Sequence, residues 1–281
     1  MRKILLIMTL LLTVLSCFGE SEKESRETIA KIENQTNKTD EQKYIELWST
    51  GLYYADKDKK TAERYYLASS KYNKEGYASI GNLYYFRGEK EKGIEKYEEG
   101  YTKGDMKSAY ELGGIYRQDG NKEKAMEWLE KGAKGGNMLA QYNLALLYED
   151  LNNKDLAEKW YLKAAEQGYV SAQLNLGNLY VEKEEYEKAK KWYLKSAEQG
   201  EIRSKNNLGF IYAKKKSYEE AEKWYLEAAA QGNVNAQYNL GNLYAEKKEY
   251  EKAKEWYLKA SESGSKDAVE ALKELENGEV K

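Results

Sequence analysis

The chain has 281 residues, 33% of them charged, a formal net charge of −2, one Cys and neither His nor Pro. That balance gives no electrostatic footprint for nucleic acid, and the missing His and thiols exclude Ser-His-Asp sites, imidazole acid–base work, cysteine nucleophiles and thiolate metal centres. With 41% hydrophobic residues and 27 Tyr, the composition points to a mostly helical protein with a thin core and much solvated surface.

The chain opens with "MRKILLIMTLLLTVLSC". Two cations precede an uncharged, mostly apolar run from Ile4 to Leu15. Its length suits the hydrophobic segment of a signal peptide and falls short of a membrane-spanning helix. The stretch "TVLSC" resembles a bacterial lipobox, in which cleavage before the Cys frees a residue that carries a diacylglycerol. A thiolate is the nucleophile such a thioether needs. The resemblance implies a lipoprotein signal peptide over 1–16, lipidation at Cys17 and a lipid anchor to a membrane of the cell envelope. The other reading is an ordinary signal peptide with an incidental Cys. Phe18, where an Asp would favour inner-membrane retention, resembles outer-membrane sorting in a Gram-negative cell. The polar stretch that follows, to residue 40, is expected to be a tether, with room for a short helix around Glu24–Ile32.

From residue 41 the sequence repeats with a period of 32. Gly81, Gly113, Ala145, Gly177, Gly209 and Gly241 form one series, and Tyr recurs three residues after each. A second series is Gly93, Ala125, Ala157, Ala189, Ala221 and Ala253, followed four residues on by Tyr97, Leu129, Tyr161, Tyr193, Tyr225 and Tyr257. Each unit closes on a Gly: 104, 136, 168, 200, 232 and 264. A degraded unit near 43–73 keeps Tyr53 and Ala62. Each unit reads as two helices: helix A, as in "AQYNLGNLYAE", and helix B, as in "YEKAKEWYLKASES". The closing Gly suits the left-handed position that ends a helix. Gly in mid-helix A costs about 1 kcal/mol against Ala, so close approach of neighbouring backbones is the expected compensation. The tail from 265, with Ala268, Val269, Leu272 and Leu275 at helical spacing, reads as a capping helix. The expected fold is all-α: a right-handed α-solenoid of antiparallel helix pairs, about seven repeats over 41–264 plus the cap over 265–281.

The order L-G-x-x-Y, then Ala, an aromatic and a small residue resembles the tetratricopeptide repeat. The phrases "AEKWYLKAAEQG" and "AQYNLG" are similar to the Sel-one-like repeat. That family's Gly-x-Gly-Val loop is absent, and a short "AEKKEYEKA" replaces it. The chain thus reads as a Sel-one-like repeat with a shortened loop over roughly 43–264. Both families serve mostly as protein-binding scaffolds, so the resemblance implies a protein or peptide partner and no enzyme activity. Carboxylates interleave with Lys at helical spacing, as on solvated faces, and no phosphate-cradling loop appears. No catalytic residue, metal site or cofactor is expected.

One residue type stands out. With Leu240 and Tyr244 as a buried stripe, Asn239 lies about 100° to its side. The period makes a ladder of Asn143, Asn175, Asn207 and Asn239, with a sparser row of Asn82, Asn178 and Asn242. In tetratricopeptide superhelices this flank faces the concave groove, and a neutral amide can pair with any peptide backbone. Two readings of the ladder stand side by side: a grip on an extended peptide, or a structural consensus bonding a neighbouring helix or water. A charged clamp from Arg203 and Lys214 lacks counterparts in neighbouring units. Tyr142 and Tyr238, just before the ladder Asn, are placed to reach the groove. For the whole protein the expectation is a membrane-anchored, extracytoplasmic repeat scaffold. A glycan-binding or glycan-processing envelope protein is the alternative.

Overall fold

A computed structural model of the chain describes residues 21–277. The signal peptide, Cys17 and Phe18 lie outside the described residues. Within them there are sixteen helices and no strand, so the fold is all-α, as the period predicts. Contacts divide the chain into two units at Leu144 and Ala145.

The first unit holds α1 (Glu22–Glu33), α2 (Asp40–Tyr54), α3 (Lys59–Ser69), α4 (Gly76–Tyr85), α5 (Lys90–Thr102), α6 (Met106–Gln118), α7 (Lys122–Lys134) and the start of α8 (Met138–Asp150). The second holds the rest of α8, then α9 (Lys154–Glu166), α10 (Val170–Glu182), α11 (Tyr186–Glu198), α12 (Ile202–Lys214), α13 (Tyr218–Ala229), α14 (Val234–Glu246), α15 (Tyr250–Glu262) and α16 (Lys266–Glu276). Even-numbered helices from α2 to α14 are the A helices and odd-numbered ones from α3 to α15 the B helices. Each A helix in α2, α4, α6, α10, α12 and α14 packs most heavily on the B helix that follows it, and α16 packs on α15.

Local chemistry sets the helix ends. Asn121, Asn153 and Asn233 accept backbone N–H bonds from Lys124, Leu156 and Ala236 and so start α7, α9 and α14. The six closing glycines all have positive φ, from +83° to +95°. The turn from helix A to helix B also needs a left-handed residue. Gly88 and Gly120 fill it first, but Asn152, Glu184, Lys216 and Lys248 occupy it later at φ of 56–62°. Sequence alone did not flag those four strained positions.

The core repeats with the same period. Leu112, Leu144, Leu176, Leu208 and Leu240 are fully buried. The glycine that follows every one of these but Leu144, which Ala145 follows, explains itself, though not as expected. A Cβ on Gly81, Gly177, Gly209 or Gly241 would stand 2.3–2.4 Å from the ring of Tyr97, Tyr193, Tyr225 or Tyr257. These four helix A glycines therefore admit an aromatic ring from their own repeat rather than another backbone, and Gly113 admits the Leu129 side chain in the same place. Gly93 on α5 does serve backbone approach: its Cβ would lie 2.9 Å from the Tyr85 nitrogen.

The stretch read as a tether contains a helix where one around Glu24–Ile32 had room to form, and that helix is docked. The middle of the stretch forms α1, started by a Ser21–Glu24 capping box. Ile32 is buried in a cluster with Leu47, Tyr54 and Tyr65. Arg64 donates to Ser25 Oγ over 2.7 Å, and Lys43 donates to the Glu33 carbonyl over 2.8 Å. Two isoleucines at positions 29 and 32, set among charges, supply the apolar stripe that docks this helix.

Candidate functional site

The sparser asparagine row is tied to the core tyrosines. Tyr97 donates its hydroxyl to Asn82 Oδ1 at 2.5 Å, Tyr193 to Asn178 at 2.7 Å and Tyr257 to Asn242 at 2.7 Å. Each acceptor directly follows the glycine on which the ring lies. The ring fills the glycine's space, and its otherwise buried hydroxyl reaches out to the next side chain. Burial pushes the Tyr97, Tyr193 and Tyr225 hydroxyls well above the ordinary range, and Tyr257 up to about 12. They remain protonated donors at physiological pH.

Asn and Tyr change together along the chain. Where Leu129 replaces the tyrosine, Gly114 stands in place of the asparagine. Where Leu146 replaces the asparagine, Tyr161 donates to Glu149 instead, at 2.5 Å. One repeat breaks the pairing: Tyr225 is 3% exposed, Phe210 occupies the asparagine position, and no hydrogen bond to the Tyr225 hydroxyl is found among the described residues.

In the second unit the main ladder is wired into this row. Asn239 Nδ2 donates to Asn206 Oδ1 at 2.9 Å, Asn206 Nδ2 to Asn207 Oδ1 at 3.2 Å, and Asn207 Nδ2 to Asn178 Oδ1 at 3.0 Å. The relay crosses α14, α12 and α10 and places these three A helices side by side. Asn175 Nδ2 donates to the Tyr161 hydroxyl at 3.3 Å. Asn175, Asn207 and Asn239 are half-buried, whereas Asn178 and Asn242 are exposed. No hydrogen bond from the Nδ2 of Asn178 or Asn242, or to the Oδ1 of Asn239, is found among the described residues. In the first unit, half-buried Asn143 lies on α8. Asn82 lines a cleft of about 310 Å³ with Trp48, Leu52, Leu83, Phe86 and Arg87.

The structure assigns several residues that sequence reasoning missed. Asn206 is the middle of the relay; its doublet with Asn207, where other repeats have a single Asn, was the available signal. Glu111 takes the ladder position one period before Asn143, and burial pushes its carboxyl pKa up. The charged clamp does not assemble: Arg203 bonds Glu201 at 2.9 Å, while Lys214 lies 5.6 Å from the centre of the Phe210 ring. Tyr238 packs on Tyr257 at 5.8 Å between ring centres. Among the described residues, no group of His, Cys, Asp or Glu is placed to hold a metal ion, and no helix is long and apolar enough to cross a membrane.

Comparison with known proteins agrees with this architecture. Tetratricopeptide repeat models match residues 107–134, 140–167, 170–199 and 234–263, and a further one matches 202–230. Together they take in more than half of the chain. The crystal structure of c5321, a protective antigen of uropathogenic Escherichia coli strains displaying an SLR fold, is 28% identical with a TM-score of 0.62. That match covers 84% of this chain and 57% of the antigen's. A Sel1 repeat protein from Oxalobacter formigenes shares the fold at 22% identity and a TM-score of 0.53, over 76% of this chain and 99% of that one. Pseudomonas aeruginosa pilF shares it at 16% identity and a TM-score of 0.50, over 71% and 97%. A search of curated proteins found no match. Repeat period, helix pairing and both kinds of comparison converge: the chain is a tetratricopeptide repeat protein of the Sel1-like kind.

Proposed function

We propose that this protein is an envelope scaffold that holds an extended segment of a partner protein across α10, α12 and α14. Repeats of this family are protein-interaction scaffolds, which supports the general reading. The observation that carries the specific one is the state of the amides. Packing and the relay use only part of their hydrogen-bonding capacity. Two donors remain on exposed Asn178 and Asn242, and one acceptor on Asn239. A strand-like peptide offers carbonyls and N–H groups alternately, so this mixed set suits its backbone whatever its side chains. Asn175 and Asn207 act as braces that fix the face. Asn82 and Asn143 offer the same chemistry on the first unit.

Crosslinking in intact cells followed by mass spectrometry tests this. Asn178→Ala, Asn239→Ala and Asn242→Ala together should remove the partner adducts while leaving far-UV circular dichroism unchanged; adducts that persist sink the reading.

We also propose that Cys17 carries the lipid that anchors the scaffold outside the cytoplasm. Its place at the end of an apolar leader supports this, as does the description of the E. coli structure as a protective antigen. Metabolic labelling with an acyl-chain analogue should mark the protein and fail to mark Cys17→Ala. Equal labelling of both would refute the anchor.

A further inference from the structure

The edge of the first unit where A helices turn into B helices departs from the repeat in one direction. Phe86, at the end of α4, is 80% exposed. In the later repeats the same place holds Gln118, Asp150, Glu182, Lys214 and Glu246, so a polar residue has been exchanged here for an apolar one. Leu52, 48% exposed, is a second exchange. It follows Gly51, where a Cβ would meet the Tyr66 ring at 2.8 Å, and so stands as Asn82, Asn178 and Asn242 stand after their glycines. Phe86 and Leu52 line one cleft, and Phe86 stands edge-on to Tyr85 with 5.6 Å between ring centres. Both side chains keep apolar area in water, which is unfavourable, and the fold itself gives no reason for either.

Helix α1 begins at this same edge. Arg64 donates to Ser25 Oγ at 2.7 Å and to Thr61 Oγ1 at 3.2 Å, which sets the start of α1 beside the start of α3. Lys59, the first residue of α3, pairs with Glu89 at 2.6 Å, and Arg87 donates to the Ala55 carbonyl at 2.6 Å, so the turn at 55–58 adjoins the turn at 86–89. Cys17 precedes Ser21 by four residues, which limits it to about 14 Å from the start of α1. Lys57, Lys60, Arg87 and Lys92 are exposed on or beside these turns and make no ion pair among the described residues. Asp56 and Glu91 are the unpaired acids there, and Asp58 is engaged in starting α3. Long cationic side chains around an exposed aromatic suit the boundary between headgroups and acyl chains, where stems pack on the apolar side and charges meet phosphate.

We infer that Phe86, Leu52 and the turns at 55–60 and 86–92 rest on the phospholipid surface that holds the anchor. The inference rests on the proposed lipidation of Cys17. Acyl chains alone hold a protein at a membrane without fixing how it stands. This second contact sets the first unit with its A-to-B edge against the bilayer. Reach favours lipid over a protein partner: a lipidated Cys17 brings phospholipid to this edge whatever else the envelope contains.

The test uses the full lipidated chain in vesicles of phosphatidylethanolamine and phosphatidylglycerol, with or without lipid carrying a doxyl quencher on its acyl chain. Cys17 is the only Cys, and lipidation blocks its sulfur, so Phe86→Cys, Lys57→Cys or Leu67→Cys each offers one thiol to a fluorescent maleimide. Leu67, 50% exposed near the far end of α3, is the control. Doxyl lipid should lower emission from labels at 86 and 57 about twofold or more and leave the label at 67 nearly unchanged, because only groups at the acyl boundary meet the quencher. Adding Phe86→Ser to Lys57→Cys should remove most of the quenching at 57 with far-UV circular dichroism unchanged. Equal quenching at all three places, none at 86, or quenching at 57 indifferent to Phe86→Ser overturns the inference. A photoreactive residue at 86 that crosslinks to a protein in intact cells gives this surface to a protein partner and overturns it too. If the chain without substitution takes up the maleimide, Cys17 is unlipidated, and the anchor reading falls and takes this inference with it. If it takes up none and the label at 86 is not quenched, only this inference falls.

Discussion

Adjacent glycines on α6 should respond to alanine in opposite directions. A Cβ on Gly113 would lie 2.6 Å from Leu129 Cγ and 2.7 Å from Leu129 Cδ2. Carbon atoms in good contact stand at about 3.5–4.0 Å, so Leu129 must withdraw by about 1 Å. Leu129 is 2% exposed, and Cγ is the branch point of its side chain, so it has little room to yield. Overpacking of this kind costs about 1–3 kcal/mol, against about 0.5–1 kcal/mol gained from replacing a mid-helix glycine. Gly113→Ala should therefore lose about 0.5–2 kcal/mol. A Cβ on Gly114 meets nothing within 4 Å, so Gly114→Ala should keep the helix gain of about 0.5–1 kcal/mol. The two variants then differ by about 1–3 kcal/mol, and with guanidinium slopes of roughly 2–6 kcal/mol per molar they should separate by roughly 0.2–1.5 M in midpoint, on either side of wild type. Far-UV circular dichroism during guanidinium titration measures it. Adding Leu129→Ala to Gly113→Ala should cost less than the two changes sum to, because the smaller side chain vacates the contested space. Midpoints that move in the same direction, or strict additivity with Leu129→Ala, would refute the packing assignment.

Three further outcomes are expected. Tyr193→Phe and Tyr257→Phe remove hydroxyls bonded to Asn178 and Asn242 and should each lose about 1 kcal/mol in denaturant titration; Tyr225→Phe, whose hydroxyl has no such partner, should lose nothing. Glu184→Gly, Lys216→Gly and Lys248→Gly relieve left-handed backbone at φ of 58–62° and should each raise the thermal midpoint, the strain being roughly 1–2 kcal/mol per residue; a lowered midpoint counts against it. Burial raises the folded pKa of Glu111 above the usual carboxylate range, so the folded state binds the proton more tightly than the unfolded state. That contribution to stability is full below the unfolded pKa and lost as pH rises through the folded one. Glu111→Gln should accordingly be more stable than wild type at neutral pH, with the gap closing in acid; a gap constant with pH contradicts the assignment.

Much of the fold was legible because a solenoid writes its packing in a period. Leu240, Gly241 and Tyr244 announce a helix face by spacing, and the closing glycines mark helix ends by their backbone freedom. Three features were harder to read. The segment before residue 34 looks solvated because only Ile29 and Ile32 among its charges touch the core. Glu184, Lys216 and Lys248 hold a turn that intrinsic preference assigns to glycine, so tertiary packing overrides it there. For the candidate site, the asparagines were legible and their wiring was not. That Asn178 answers the Tyr193 hydroxyl depends on a ring from helix B crossing a glycine on helix A. The matched change to Gly114 and Leu129 in one repeat carried that signal within the sequence itself.

The seat of each ring on its glycine has a consequence for the length of the molecule. Gly177, Gly209 and Gly241 each meet a tyrosine sixteen residues later, at Tyr193, Tyr225 and Tyr257. Removing or duplicating 32 residues anywhere between Gly177 and Tyr257 returns a glycine opposite a tyrosine, with no new contact to be invented. Any other change of length sets a ring against a side chain. Copy number can therefore drift in whole steps, and recombination between near-identical stretches such as 171–180 and 235–244 supplies those steps. The reach of the asparagine face can be retuned in the same way, one helix pair at a time, while every seat stays filled.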